Sequence, residues 1–130
     1  MRIALWPDCA DDMHDYEIER ALSVRNRGAI LLAVDENDVP HGFVELSIRA
    51  RVDGSMSEGV GYVEGWFVDE AYRGKGNGRK LIERAEAWTR ERGLTELASD
   101  AEMRNEQSIR AHHALGFKET FRVVQFLKKV

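Results

Sequence analysis

At 130 residues the chain holds one compact domain, residues 1–130, with a single core and no room for a second. Its 43% apolar and 32% charged content is that of a soluble globular protein, and no apolar stretch approaches the ~18 residues of a bilayer span. A net charge of −4 disfavours nucleic acid, whose phosphates demand a basic surface, and the lone Cys9 excludes an internal disulfide or a cysteine metal cluster.

The N-terminus lacks the basic segment and apolar core of a secretory signal, which points to the cytoplasm. Before Pro7 only the end of a first helix fits. Residues 8–26 read as helix, with Tyr16, Ile18, Leu22 and Val24 turned inward. Asp8, Asp11, Asp12, Asp15, Glu17 and Glu19 make this stretch acidic, whereas cations concentrate in residues 73–92. That polarity suits an anionic ligand at one end and a cationic one at the other, or is plain solvated surface. Residues 29–34 are a continuous apolar strand, 35–40 a turn, 42–49 a second strand, 50–60 a polar loop and 61–68 a third strand. A helix over 78–92 puts Leu81, Ile82, Ala85 and Trp88 on one face and stops near Gly93. A short strand at 95–99, a helix at 105–115 and a final strand at 119–128 complete an α/β sandwich, a central mixed sheet flanked by helices. His14, His41, His112 and His113 make no i, i+4 pair, so no metal site is expected.

Between the third strand and the long helix stands Arg73-Gly74-Lys75-Gly76-Asn77-Gly78. Strand, glycine-rich turn and helix N-terminus together hold phosphate, because glycines let the backbone curl and the first helical N–H groups point outward. A Walker loop is excluded, since no Lys-Ser or Lys-Thr pair follows, and the glycine spacing is not G-x-G-x-x-G. Arg-x-x-Gly-x-Gly resembles the pyrophosphate loop of the GNAT superfamily of acyl-CoA-dependent N-acyltransferases. The resemblance implies acetyl-CoA as co-substrate, its pyrophosphate in the loop and its pantetheine arm along Trp66, Phe67 and Val68. It also implies that Asn105, ahead of a short helix ending in Leu115-Gly116-Phe117, binds the pantetheine; the residue-level alternative is an ordinary helix N-cap. The family's usual first strand is missing here, leaving residues 29–34 as a bare edge. Either the reading frame begins upstream or a partner chain covers that edge, and a homodimer is expected.

Acyl transfer to an amine needs the amine neutral. With a pKa of ~10.4 that costs ~4.6 kcal/mol at pH 7, so a proton acceptor matters more than an acid for the thiol. Glu64, on the strand leading to Trp66, is the first candidate base, unless it simply faces solvent; Asp100, where strand 95–99 ends, is the second, unless it caps a loop. Together they also suit a polycation. His112, seven residues after Asn105, stands where many GNAT enzymes carry a proton-returning tyrosine, although a histidine on a short helix is often only packed.

Leu5-Trp6-Pro7, Ser47-Ile48-Arg49, residues 63–68, Ala98-Ser99-Asp100 and residues 113–117 with Glu119-Thr120 narrow the resemblance to the aminoglycoside 6'-N-acetyltransferases over nearly the whole chain. By that resemblance Glu64 and Asp100 contact the antibiotic and Trp6 packs on a sugar ring. Cys9 stands in place of a substrate-contacting histidine, the Arg51-Val52 loop lacks a tyrosine, and Phe121 replaces an acidic residue; the lost carboxylate and the placing of Arg51 near the cleft are expected to weaken cation binding. An acetyltransferase for a polyamine or peptide, and a non-catalytic acyl-CoA-binding module, remain the other two readings.

Overall fold

The computed structural model describes residues 1–8, 10, 13, 15, 16, 18, 19 and 27–130. The first hairpin turns on Asp35, whose carboxylate accepts from the Asn37 and Val39 N–H groups (2.8 and 3.0 Å), while Asp38 takes a left-handed backbone with φ 62°. β1 (Gly28–Val34) thereby folds back antiparallel on β2 (Pro40–Arg49), which pairs antiparallel with β3 (Val60–Val68). β4 (Leu97–Ser99) runs parallel to β3, giving a mixed sheet in the order β1-β2-β3-β4.

Helices α1 (Arg2–Leu5), α2 (Asn77–Glu91) and α3 (Glu106–Ala114) pack around this sheet. α2 covers one face, burying Leu81, Ile82, Ala85 and Trp88 against Val44, Leu46, Val63 and Val68. These are the four inward positions expected from their i, i+1, i+4, i+7 spacing. Burying each large side chain contributes roughly 1.5–3 kcal/mol, which fixes the helix and its N-terminus relative to β3.

Two irregularities shape the opposite face. Glu45 pairs with Gly65 and Leu46 with Val63, so Glu64 is an unpaired bulge residue on β3. Past the bulge Gly65 lies against Leu5 and Trp6, while Glu64 meets Ser47 and Arg49 of β2. Second, β3 and β4 share only three pairs, Gly61 with Leu97, Tyr62 with Ala98 and Val63 with Ser99. Beyond Val63 the two strands part, and Trp66, Phe67 and Val68 pair with β2 alone among the described residues.

Some expectations need correction. Residues 119–128 are not a strand: no regular structure follows α3, and Phe121, Val124, Phe126 and Leu127 are exposed. A strand needs an edge to pair with, and this segment meets none among the described residues. Tyr16 does not turn inward but is exposed, whereas Ile18 is half-buried; Leu22, Val24, Cys9 and the acidic Asp11, Asp12 and Glu17 lie outside the described residues. Among the described residues β1 is an outer strand of the sheet, and its Leu32 and Val34 are 52% and 45% exposed.

Candidate active site

The glycine-rich turn is folded by its own side chains. Arg73 Nε donates to Val68 O (2.7 Å) and Asn77 Nδ2 to Tyr72 O (2.9 Å), tying the turn back to the end of β3. Gly74 and Gly76 have φ of 71° and 81°, a region costly for any residue with a Cβ. Gly76 is the N-cap of α2, and no side chain caps the helix. The first helical N–H with an acceptor in the turn is that of Lys80, to Gly76 O (3.0 Å). The N–H groups ahead of it, on a 15-residue helix, therefore face outward at the positive end of its dipole. Lys75, Arg79 and Lys80 are exposed around them, and Gly78 in the first turn presses on the Trp66 indole.

Trp66 stands edge-on to His112 (5.5 Å, 89°), which meets Phe117 in turn (5.2 Å). Both His112 ring nitrogens are engaged. Nδ1 lies 2.7 Å from Ser108 O, which can only accept, so Nδ1 carries the proton and Nε2 accepts from the Ser99 hydroxyl (2.8 Å). His113 is exposed. Asn105 caps α3 through Oδ1, which accepts from Ser108 N–H (3.1 Å), and the residue is exposed. Capping uses its oxygen and leaves the amide N–H₂ to donate elsewhere.

On the opposite face, Trp6 closes α1 and sets the benzo edge of its indole against Gly65, where a Cβ would meet it at 2.3 Å. Arg2 holds it there: the guanidinium sits 4.6 Å from the Trp6 ring and forks onto the buried Glu45 at 2.9 and 3.2 Å. Alongside runs a continuous polar chain. Ser47 Oγ donates to Glu64 Oε1 (2.5 Å), and Arg49 grips both Glu64 oxygens (3.1 and 2.7 Å). The Arg49 guanidinium stacks 3.4 Å from the Tyr62 ring centroid, and Tyr62 OH donates to Asp100 Oδ2 (2.5 Å). Glu64 and Asp100 are thus joined through Arg49 and Tyr62 on one face. Sequence reasoning singles out neither Arg49 nor Tyr62; the available signal is the period-two spacing of Ser47 and Arg49 across from Tyr62.

Burial first, and the bond to Asp100 second, push the Tyr62 phenol well above its ordinary 10.0, and the Glu64 contact raises Arg49. Tyr62 therefore keeps its proton in the fold when the unfolded chain would lose it. Its contribution to stability is fully present below pH 10 and is lost as the pH climbs above that value. Urea denaturation of the unaltered chain and of Tyr62→Phe should diverge below pH 10 and converge above it; a constant gap would contradict this placement.

The protein-family model described as "Acetyltransferase (GNAT) family" matches residues 2–117. The chain is 42% identical over 130 residues to an aminoglycoside N(6')-acetyltransferase type 1 of Klebsiella aerogenes, covering 98% of this chain and 86% of that protein. Its counterpart in Stenotrophomonas maltophilia is 41% identical over 127 residues, covering 97% and 81%. Among solved structures, the chain is similar to AAC(6')-Iy in complex with the bisubstrate analogue CoA-S-monomethyl-acetylneamine. The TM-score is 0.93 at 36% identity, over 100% of this chain and 88% of that one.

Proposed function

The chain belongs to the GNAT acetyltransferase family, and from that premise we propose that it transfers the acetyl group of acetyl-CoA to the 6'-amino group of an aminoglycoside. The observation that carries this reading is the uncapped N-terminus of α2 beside the parted end of β3, with two carboxylates on the adjoining face.

The residues present fit the co-substrate. Outward N–H groups of Gly74, Lys75, Gly76, Asn77 and Gly78, with the Arg73 guanidinium, offer donors for a diphosphate. Trp66, Phe67 and Val68 offer backbone to an amide-bearing pantetheine arm on the side that β4 leaves, and Asn105 adds its side-chain N–H₂. When bound, acetyl-CoA supplies an activated acyl thioester. Glu64 accepts the ammonium proton, directly or through one water, and Asp100 holds a second cationic group. Trp6 presents its ring face to a sugar, with Arg2 and Glu45 keeping it in place. His112 can return a proton to the leaving thiolate only in its doubly protonated form with the Ser99 bond opened, because its neutral form has just a lone pair on Nε2; otherwise it holds Trp66 in position.

A thiol-release assay with acetyl-CoA and kanamycin, tobramycin, spermidine and a peptide panel tests the reading. Release with aminoglycosides alone supports it; release only with spermidine or peptides moves the activity to another amine; binding of acetyl-CoA without release reduces the protein to a binding module.

We further place the enzyme in the cytoplasm, where acetyl-CoA is made, and as a homodimer. No helix among the described residues is long and apolar enough to cross a membrane. The apolar, exposed segment 121–127 lies beside an open groove of about 1460 Å³ lined by β4, α3 and the segment itself, which supports exchange of that segment with a second copy. Light scattering should give twice the 14.8 kDa chain mass, and a stable monomer would contradict the dimer.

A further inference from the structure

We infer that Arg49 is the resident counter-cation of the acceptor site, a specificity-determining residue that a polycationic amine must displace from Glu64. The inference rests on the reading of this face as an amine-binding site.

Three observations carry it. Arg49 occupies both oxygens of Glu64, and Ser47 takes a further bond to Oε1, so in the free chain three of the carboxylate's roughly four acceptor positions are filled. An ammonium approaching Glu64 to make more than one bond has to compete for positions that Arg49 holds. The pair is accessible enough for that exchange, with side chains 43% and 31% exposed, unlike the Arg2–Glu45 pair at 11% and 10%. Finally, Arg49 has a second seat. Its guanidinium stacks on the Tyr62 ring, whose hydroxyl holds Asp100, so on leaving Glu64 it stays in the site over an aromatic face.

The charge count gives the consequence. Glu64, Arg49 and Asp100 sum to −1, and without Arg49 the same face carries −2. Arg49 therefore weakens the hold on acceptors, and the more so the more cationic they are. It thereby narrows the advantage of an acceptor that places one ammonium at Glu64 and another at Asp100 over one that competes at Glu64 alone.

The test reads both KM in turnover and Kd by calorimetry, for an aminoglycoside with four amines and for a monoamine, on protein saturated with CoA. In Arg49→Met, which keeps an apolar stem over Tyr62, the aminoglycoside Kd and KM should fall about tenfold and the monoamine values about twofold. Arg49→Lys, retaining the charge, should stay within about twofold of the unaltered chain. The KM for acetyl-CoA should not move. Arg49→Gln serves as a second uncharged variant should Arg49→Met fail to fold. Unchanged or weaker aminoglycoside binding in the uncharged variants, an equal gain for both amines, or the same gain in Arg49→Lys overturns the inference. If the unaltered chain binds these amines but releases no thiol, the acetyltransferase reading falls while the Kd comparison still decides the role of Arg49.

Discussion

Gly76→Asp should leave the fold intact and remove coenzyme binding. Position 76 is the N-cap of α2 with φ 81° and ψ 2°, a left-handed conformation that Asp tolerates better than other non-glycine residues. A Cβ there would meet nothing within 4 Å, so no side chain has to move. The new carboxylate would cap the free helical N–H groups, offsetting the backbone strain and holding the melting temperature within a few degrees. It would also put a negative charge where the diphosphate is to bind, and occupy its donors. Affinity for CoA should fall about 100-fold or more, ~2.7 kcal/mol. Coenzyme binding that survives this change would show that the turn is only a turn. Because the change is expected to spare folding and remove binding, the two readouts separate a damaged protein from a blocked site.

Glu64→Gln should lower kcat about 100-fold while leaving the KM for acetyl-CoA unchanged, since general-base contributions run at ~10²–10⁴. The amide is nearly isosteric and keeps a bond from Ser47, so the bulge should persist. The lost ion pair with Arg49 is partly exposed and costs no more than about 1 kcal/mol of stability. Asp100→Asn should act differently, raising the acceptor KM about tenfold with little change in kcat, as expected of a group that holds charge rather than moves protons. A steady-state comparison of both variants with one aminoglycoside checks the division of labour. Glu64→Gln turning over at the unaltered rate would transfer the base role to another group.

How much of this is legible in the sequence depends on how local each signal is. Residues 61–92 read correctly because everything that defines them is nearby: the apolar run of β3, glycines that permit positive φ at 74 and 76, and the spacing of Leu81, Ile82, Ala85 and Trp88. Asn105 marks the start of α3 for the same reason, and its capping bond to Ser108 shows that the N-cap reading and a ligand-donating amide can coexist. Residues 119–128 read as a strand on composition, yet strand propensity says nothing about whether a partner edge is within reach. The pairing of Glu64 is hidden for a related reason. Alternation assigns it a face, but the contact with Arg49 depends on the bulge opposite Glu45 and Leu46, a property of two strands together. Tyr62 and Asp100 are 38 residues apart, and only the short parallel pairing of β3 with β4 brings them together.

If the turn after Val68 holds the diphosphate of coenzyme A, calorimetry of the unaltered protein with acetyl-CoA will register it. One site per chain with low-micromolar affinity is the predicted result, about −7 to −8 kcal/mol. No measurable heat or stabilisation at millimolar acetyl-CoA would contradict it.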